Sequence, residues 1–449
     1  MNKFSDFPYT NVLVLGLAKS GTAAANLLAA NGTRVIVNDG NANAEDENIK
    51  ELARRGVKTV VGSHPLSVLE GVELVVKNPG IKYDNPVLVH ALEKSIPIVT
   101  EVELVNYLTE ANIIGITGSN GKTTTTTMVT EMLRNSSLPV KVAGNIGIVA
   151  SETAATMLKG ENLVLELSSF QLQGTKHFRP HIAVLLNIFS AHLDYHHTLE
   201  NYIAAKSRIF ARQTPDDFAV YNADDAVVCE AVRQSKAEKI PFSVKRRLEN
   251  GVWADRDAIY FYDEKVVDRA EIVLVGEHNL ENILAAVAAA KLSGASNQGI
   301  RKVLGSFNGV KHRLQYVTTV QGRRFYNDSK ATNILATSKA LTAFDTPTIL
   351  LAGGLDRGNG FEEMLPFLKH VKAMVLFGET AHKIHDTAVK AGIEDIVFAD
   401  DITDAVPKAY ALSVPKDIIL LSPACASWDQ YKTFEQRGDM FIQAVHTLE

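Results

Sequence analysis

The chain has 449 residues, a length that exceeds a single hydrophobic core and predicts about three domains. Its net charge of -5 argues against a nucleic-acid binder that works by broad phosphate neutralisation, and no apolar stretch approaches the roughly 20 residues that span a bilayer. The cysteines, Cys229 and Cys425, match no metal or redox spacing, and the N-terminal apolar run is strand-sized rather than a signal peptide. We therefore expect a cytoplasmic protein without nucleic-acid or membrane partners.

The first predicted unit, residues 11–29, reads as a strand, a glycine turn and a helix rich in Ala and Leu. Its turn, residues 16–21, resembles G-x-G-x-x-G with Ala18 at the middle position, and Asp39 ends the next strand, where it could accept hydrogen bonds from a ribose or base. The pattern fits a nucleotide pocket, as in a dinucleotide dehydrogenase, or glycines that only pack strand against helix. Lys19 could contact a phosphate or remain a surface lysine.

The second unit contains the most informative loop of the chain, because an apolar strand runs directly into Gly118-Ser119-Asn120-Gly121-Lys122-Thr123-Thr124. Glycines let backbone N–H groups approach phosphate oxygens, and a following helix adds its positive dipole end. The lysine would neutralise β/γ-phosphate charge, and a threonine hydroxyl would bind Mg²⁺. The spacing is shorter than G-x-x-x-x-G-K-[ST], since Ile116 stands where the first glycine belongs. The loop predicts ATP- or GTP-dependent activity, which a dehydrogenase would leave unexplained.

Polar groups follow the next strands of this unit. Glu166 lies near the carboxyl end of an apolar strand, where an acid can complete a Mg²⁺ site or can be merely an exposed strand-end carboxylate. After the strand at residues 182–186 come three histidines and one aspartate, a pattern typical of a metal or phosphate site: His192, Asp194, His196 and His197. Residues 202–210 read as a helix, on which spacing alone makes Lys206 a surface cation.

The remaining sequence predicts an appended hairpin and a third glycine loop. Residues 242–275 alternate β-formers with turn residues, and residues 348–354 form another strand ending in glycines, with a helical stretch at 361–368. Alternating strands and helices predict an α/β fold of three domains, each with a mainly parallel sheet. We expect a Rossmann-like domain at 1–101, a central ATPase-like domain with the phosphate loop at 102–309, and a Rossmann-like domain at 310–449.

Taken together, the motifs resemble the Mur ligases, the ATP-dependent amino-acid ligases of peptidoglycan precursor synthesis. The resemblance covers all three predicted domains, and several motifs together are far more specific than any one of them. The matching segments in the central domain and at the start of the third are residues 118–124, 166–172, 187–192, 205–206, 276–282 and 312–313. The segments at 326–333, 421–430 and 434–438 are similar to those of the D-glutamate-adding branch.

The resemblance implies a reaction in two steps at the central domain. ATP would phosphorylate the carboxylate of UDP-N-acetylmuramoyl-L-alanine to an acyl phosphate, and the amine of D-glutamate would then displace phosphate to form an amide. The residues that it implies for ATP are Gly118, Ser119, Asn120, Gly121, Lys122, Thr123, Thr124, Asn282 and Arg313. It implies Mg²⁺ on Thr123, Glu166, His192 and a carbamylated Lys206, and Lys122, Glu166, His192 and Lys206 as the catalytic set.

The other two substrates would bind mainly to the outer domains. The residues implied for the UDP-substrate are Gly16, Ala18, Lys19, Ser20, Gly21, Asp39, Asn78 and Asn145. Those implied for D-glutamate are Lys330, Thr332, Ser427 and Phe434, where lysine would act as a point charge for a carboxylate. We expect a monomer whose partners are these small molecules.

Three alternatives remain open from the sequence. The first is another Mur-type ligase, which the segment 328–332 opposes, and the second is a folylpolyglutamate-type ligase, which the uridine-type first domain opposes. The third is a phosphate-loop NTPase that is not a ligase. Such a protein would hydrolyse ATP without an amino acid, whereas a ligase would release phosphate only with both acceptor substrates present.

Overall fold

The structure is a computed structural model that describes residues 2–274 and 276–448, without the side chains of Asp194, Glu277 and His278. Val275, the last residue of the predicted β-rich segment, and these three side chains lie outside the described part. The chain divides into two compact units, the first ending at Ser306 and the second beginning at Phe307. The first unit contains two sheets and the second contains one.

The first sheet is formed by short apolar strands that are all parallel, in the order β3-β2-β1-β4-β5. Burial of β1 and β4 from both sides explains their continuous runs of Val and Leu. The elements are β1 (Asn11–Leu15), α1 (Lys19–Ala30), β2 (Arg34–Asp39), α2 (Glu47–Arg54), β3 (Lys58–Val61), β4 (Leu74–Lys77), α3 (Pro86–Glu93), β5 (Ile98–Thr100) and α4 (Val105–Leu108), with 3-10 turns at Leu66–Leu69 and Glu101–Leu104.

The second sheet has the order β14-β13-β12-β11-β10-β9-β6-β8-β7 and is parallel from β7 to β12. Its strands are β6 (Asn112–Thr117), β7 (Val140–Gly144), β8 (Asn162–Glu166), β9 (Ile182–Leu185), β10 (Phe218–Asn222), β11 (Glu238–Ser243), β12 (Val252–Ala254), β13 (Ala258–Phe261) and β14 (Glu264–Asp268). The last three strands are antiparallel, which confirms the predicted hairpin.

The helices of this part connect the strands and pack on the sheet. They are α5 (Lys122–Asn135), α6 (Ala150–Ala154), α7 (Ser169–Gln173), α8 (Leu193–His196), α9 (Leu199–Ser207), α10 (Ala226–Val232), α11 (Glu277–Leu292) and α12 (Asn297–Leu304), with 3-10 turns at Arg208–Phe210 and Arg269–Glu271. The phosphate loop between β6 and α5 and the segment after β9 both follow the carboxyl ends of neighbouring strands. Ligands of parallel α/β sheets bind at that edge.

The second unit has a six-stranded sheet in the order β15-β16-β20-β17-β18-β19, parallel except for the β15–β16 pair. Its elements are β15 (Gln315–Val320), β16 (Arg323–Asn327), α13 (Ile334–Leu341), β17 (Thr348–Gly353), β18 (Val371–Phe377), α14 (Ala381–Lys390), β19 (Asp395–Phe398), α15 (Ile402–Leu412), β20 (Ile418–Leu421) and α16 (Phe434–His446). The helical stretch predicted at 361–368 is a 3-10 helix, Glu362–His370, which contains Pro366. Within the described residues, no helix has the length and apolar character needed to cross a membrane.

Candidate active site

The phosphate loop folds as the sequence predicts. Gly121 has a φ of +82°, in the left-handed region that favours glycine, and α5 begins at the next residue, Lys122. A Cβ at Gly121 would collide with the side chain of Asn282, so the missing side chain lets Asn282 lie directly against the loop. The structure therefore brings together two of the residues predicted to bind ATP from segments far apart in sequence.

The ammonium and the neighbouring strand hold the loop in shape. Lys122 Nζ donates to the carbonyl oxygens of Gly118 (2.8 Å) and Ser119 (3.0 Å), so the lysine lies over its own loop. Asn187, just beyond β9, accepts from Asn120 N through Oδ1 (2.9 Å), and its carbonyl accepts from Ser119 N (3.0 Å). Thr123 and Thr124, one of which is predicted to supply a hydroxyl ligand, are both buried in the first turn of α5.

Glu166 is the last residue of β8 and lies beside β6, paired with Ile116, at the edge that carries the phosphate loop. Its side chain is buried, which excludes the exposed strand-end carboxylate. Oε1 accepts a hydrogen bond from Asn145 Nδ2 (2.9 Å), whereas Oε2 is buried and has no hydrogen-bond partner among the described residues. A buried carboxylate oxygen without a donor is costly unless a cation neutralises it. Asn145, predicted to contact substrate, holds this carboxylate in place.

Lys206 is not the surface cation that helical spacing predicts. Its side chain on α9 is 1% exposed, and Nζ donates to Gly118 O (2.8 Å) and Thr117 Oγ1 (3.4 Å) and lies 4.8 Å from the centre of the Tyr202 ring. None of these groups is a carboxylate. Burial, and then the positive charge of Lys122, hold the pKa of Lys206 well below its ordinary value. The surface prediction was wrong because Lys206 lies on the buried side of α9, together with Tyr202 and Ala205.

The histidine segment combines strained backbone with aromatic packing. His192 has a φ of +56°, and its ring packs edge-on against Phe170 (5.0 Å between centroids) and 6.3 Å from Tyr202. Of the other members, His196 is buried with Nε2 2.9 Å from Ser169 Oγ, His197 is exposed, and the Asp194 side chain lies outside the described residues. Strained residues such as His192 are found where the surrounding packing determines a functional geometry.

The described residues contain no group of three or more His, Cys, Asp or Glu side chains arranged to hold a metal. The predicted Mg²⁺ ligands include one carboxylate, Glu166, and one imidazole, His192, with a hydroxyl from Thr123. Hard Mg²⁺ prefers oxygen ligands. The unpartnered oxygen of Glu166 fits such an ion, and the donor set gains a second anionic oxygen only if the Lys206 amine carries a carboxylate.

The first glycine loop lies at the carboxyl edge of the first sheet, where Leu15 pairs with Asn38 and Lys77 of the adjacent strands. Here Asn78 Nδ2 donates to Ser20 Oγ (3.1 Å), which joins two residues predicted to contact the UDP-substrate. Of the others, Gly16 and Gly21 are buried at the turn, while Ala18 and Lys19 are exposed. Lys19 thus lies on the surface, and its predicted contact with phosphate stays a prediction.

Asp39 lines an open cavity of about 490 Å³ beside this loop, together with Leu17 and Ala18. Its Oδ2 accepts from Leu17 N (2.7 Å), and its Oδ1 accepts from Asn41 N (2.8 Å) and Ala42 N (3.1 Å). Burial alone would raise the pKa of Asp39, but these backbone hydrogen bonds lower it. In this structure the carboxylate holds the two loops of the pocket together, a role the sequence did not predict.

In the second unit, a buried arginine connects the loops that carry the predicted D-glutamate residues. Arg437 donates to Ser329 Oγ (3.1 Å), Ser329 O (3.0 Å), Cys425 O (3.1 Å) and Gly353 O (3.4 Å). Burial lowers the pKa of Arg437 to about 10. Its guanidinium therefore connects the end of β17 to the loops that follow β16 and β20.

The predicted D-glutamate residues lie in the loops that follow β16 and β20 and at the start of α16. Lys330 is exposed, with Nζ 5.7 Å from the centre of the Phe434 ring, and Phe434 O accepts from Ser329 Oγ (2.7 Å). Ser427 is buried, and within the described part of the chain its Oγ has no hydrogen-bond partner. Thr332 is half-buried, as is Arg313, which was predicted to bind ATP and lies in this unit. Their ligand assignments stay predictions.

Arg357 is a residue that the sequence reasoning missed. It follows β17 in the third glycine loop, and its guanidinium lies 5.3 Å from the centre of the ring of Trp428, the neighbour of Ser427. Leu355 N of the same loop donates to Ala426 O (2.9 Å), which anchors the loop beside Ser427. The glycine pattern in the sequence predicted this loop, but it did not indicate Arg357 as a candidate functional residue.

A phosphate loop, a buried acid and a buried lysine at one sheet edge are typical of phosphoryl-transfer enzymes. Three segments match known family domains: residues 10–100 match the Mur ligase MurD-like N-terminal domain, 116–290 the Mur ligase middle domain, and 312–425 the Mur ligase glutamate ligase domain. The chain belongs to the Mur ligase family and is an ATP-dependent, amide-forming ligase.

Relatives extend the match over the full length. The UDP-N-acetylmuramoylalanine--D-glutamate ligase of Oceanobacillus iheyensis is 59% identical over 449 residues, covering 100% of both chains. The ligase of the same name from Geobacillus kaustophilus is 59% identical over 445 residues, covering 99% of both. Among solved structures, the UDP-N-acetylmuramate-alanine ligase MurC of Thermotoga maritima shares the fold with a TM-score of 0.57 and 18% identity, covering 98% of this chain and 100% of that one.

Proposed function

We propose that this enzyme joins D-glutamate to UDP-N-acetylmuramoyl-L-alanine, with conversion of ATP to ADP and phosphate. The observation that carries the proposal is the 59% identity, over the whole chain, to relatives named for this reaction. The site supplies the matching chemistry, because a phosphate loop and a buried acid with an unpartnered oxygen lie at one sheet edge. The product would be a precursor of peptidoglycan, and we place the reaction in the cytoplasm of a cell that makes it.

In the first step, the loop residues would hold ATP so that a carboxylate oxygen of the UDP-substrate displaces ADP from the γ-phosphorus. The N–H groups at the start of α5 and the Lys122 ammonium would bind the phosphate oxygens, and Asn282 against Gly121 would contact the nucleotide. Mg²⁺ on Thr123, Glu166 and His192 would neutralise phosphate charge when bound. Fixed donors and cations stabilise the charge that develops in phosphoryl transfer.

We propose further that Lys206 carries a carbamate. Its neutral amine would attack CO₂, forming an N–C bond and releasing one proton, which leaves an anionic carboxylate on Nζ. Deep burial without a carboxylate partner among the described side chains, next to the charge of Lys122, supports this proposal because it favours the neutral amine that reacts with CO₂. The carbamate would provide the second anionic oxygen that the ligand set otherwise lacks.

In the second step, the amine of D-glutamate would attack the acyl phosphate carbon, and phosphate would leave as the amide forms. We assign the carboxylates of D-glutamate to Lys330, Thr332, Ser427 and the backbone of Phe434. The unpartnered Oγ of buried Ser427 and the exposed Lys330 ammonium support this assignment, since one offers a hydrogen bond and the other a charge. The enzyme would act as a monomer.

Phosphate release tests the proposal directly. Purified enzyme with Mg·ATP should release phosphate only when UDP-N-acetylmuramoyl-L-alanine and D-glutamate are both present, and the product should gain the mass of one glutamate residue. L-glutamate, L-alanine and diamino acids serve as matched controls for the amino acid. Release without any amino acid would identify a simple NTPase, and equal turnover with L-alanine would identify a different member of the family.

A further inference from the structure

Lys77 is a second buried lysine that the reaction scheme does not use. It ends β4, its side chain is 1% exposed, and Nζ lies within hydrogen-bond distance of the carbonyl oxygens of Asn78 (3.3 Å), Pro79 (3.2 Å) and Ile81 (2.9 Å). The loop at 78–81 therefore curls around the ammonium. This loop includes Asn78, which contacts Ser20 of the glycine loop.

The fourth oxygen at Lys77 belongs to the histidine segment of the second sheet. Lys77 Nζ donates to Tyr195 Oη (3.0 Å), and Oη also lies 3.0 Å from Pro79 O and 3.1 Å from Ile81 O. Tyr195 is buried on α8, and its ring packs on Phe170 with 4.5 Å between centroids. Phe170 in turn packs on His192. One chain of contacts thus runs from the UDP-substrate loop to a predicted Mg²⁺ ligand.

The energetics make the loop and the histidine segment depend on each other. A buried ammonium without a carboxylate is tolerated only where several oxygens replace its hydration. Three of those oxygens come from the loop and the fourth from Tyr195, so a displacement of either segment leaves the charge less well solvated. Tightly packed groups of this kind have few alternative arrangements, which is the property needed to couple two binding sites.

We propose that Lys77 and Tyr195 are positioning residues that couple binding of the UDP-substrate to binding of Mg·ATP. An occupant at Ser20 and Asn78 fixes the loop, the loop fixes Lys77, and Tyr195 then holds α8 and His192 in the arrangement that suits the nucleotide. This inference rests on the proposed function, because it uses the two substrates assigned to these loops. Neither residue touches the reacting atoms.

The coupling can be measured as a ratio of dissociation constants. Calorimetry gives the Kd of Mg²⁺ with a non-hydrolysable ATP analogue, with and without saturating UDP-N-acetylmuramoyl-L-alanine. We expect the UDP-substrate to tighten analogue binding in the unaltered enzyme by about fivefold or more, and the reverse titration to give the same factor. The ratio should fall to near one in both Lys77→Met and Tyr195→Phe. The double variant should match the single ones, because all three remove the same contact.

Two variants in the same unit serve as controls. Lys291→Met removes another largely buried ammonium, which pairs with Glu264 (2.9 Å), and Tyr221→Phe removes a hydroxyl from β10. Both should keep the ratio of the unaltered enzyme. Should Lys77→Met fail to fold, Tyr195→Phe still tests the inference, since it removes a single oxygen.

The outcomes separate this inference from the proposed function. An unaltered enzyme that does not bind the UDP-substrate refutes the proposed function. An enzyme that binds both ligands without coupling, or coupling that survives in Lys77→Met and Tyr195→Phe, overturns the inference alone. A loss of the ratio in the control variants as well would make the effect one of general stability, and it would also overturn the specific role of the pair.

Discussion

The surroundings of Lys77 and Lys206 differ although both lysines are 1% exposed and neither contacts a carboxylate among its described partners. Lys77 has four oxygens within 3.3 Å, so its surroundings replace much of the hydration of an ammonium. Lys206 has one carbonyl at 2.8 Å, a hydroxyl at 3.4 Å and the like charge of Lys122. The first site is built for a donor, whereas the second favours an uncharged nitrogen.

Burial lowers both pKa values, and the nearby charge of Lys122 is an additional cause only at Lys206. Burial lowers the pKa of Lys77 to about 7, while burial and Lys122 together hold that of Lys206 well below its ordinary value. Burial of a lysine therefore does not define its function. The number of oxygen acceptors and the nearest charge decide whether the nitrogen serves as a structural cation or as a reactive amine.

The largest expected effect is that of Lys122→Ala, which removes the positive charge that lies next to Lys206. Turnover should fall by at least about 10², because a cation that stabilises the transferred phosphoryl group is lost. The Kd of the UDP-substrate, measured by calorimetry without nucleotide, should change little, since its predicted contacts lie mainly in the first sheet. Equal loss of UDP-substrate binding would contradict the assignment of the two ligands to separate loops.

Lys206→Ala tests whether Lys206 acts as a reactive amine that carries a carboxylate. Activity should fall by at least roughly tenfold, as for groups that support a metal site, and acetate or a similar short carboxylate should restore part of it. The same additive should not restore the substrate coupling of Lys77→Met, whose missing group is a donor. Phosphate release at increasing acetate concentration measures the recovery of Lys206→Ala, and the calorimetric ratio of dissociation constants measures the coupling in Lys77→Met.

Lys206→Arg separates charge from carboxylate at the same position. It retains a cation but cannot form the carbamate, so we expect low activity that bicarbonate does not improve. Mass spectrometry under CO₂ should detect the added carboxylate only in the unaltered protein. Full activity of Lys206→Arg would refute the carbamate, and it would make Lys206 a buried structural cation like Lys77.

Lys330→Ala extends the comparison to a lysine that is exposed. If its ammonium binds a carboxylate, the KM for D-glutamate should rise by at least about tenfold, because a charge-assisted hydrogen bond contributes roughly 1.5–3 kcal/mol. Thr332→Val should act in the same direction with a smaller effect. Steady-state kinetics with each substrate varied in turn gives the three KM values.

The KM values for ATP and the UDP-substrate are the internal controls of this experiment. A joint rise of the ATP and D-glutamate constants would assign Lys330 to closure over the nucleotide instead. An unchanged KM for D-glutamate in both variants would mean that Lys330 does not bind the amino acid.

The sequence predicted the sheets, the glycine loops and the hairpin because short apolar strands and glycine turns are local signals. It placed Glu166 correctly at a strand end for the same reason. It misplaced Lys206 and overlooked Lys77, since burial of a lysine depends on which distant segment packs over it. Residues 78–81 and Tyr195 are more than a hundred positions apart, and no local pattern shows that they meet.

The smallest expected effect concerns Glu101, a buried acid that directly follows β5. Like the two lysines it is a buried ionisable group, but its charge is negative. Its Oε1 accepts from Ser151 N (2.5 Å), and burial raises the pKa of Glu101 to about 7 from an ordinary value of 4.5. Between these values the folded protein keeps a proton that the unfolded chain releases. The stability that this proton provides is therefore full below pH 4.5 and is lost as the pH rises through 7.

Glu101→Gln removes this titration while it keeps an acceptor for Ser151 N. The unfolding free energy of the variant minus that of the unaltered protein should therefore increase from pH 5 to pH 8, by on the order of 1–3 kcal/mol. Thermal unfolding at a series of pH values measures the difference, with Glu249→Gln as the control at an exposed position. A difference that does not change with pH would mean that Glu101 is ionised when folded, and that its site, unlike that of Lys77, solvates the buried charge without a shift of the pKa.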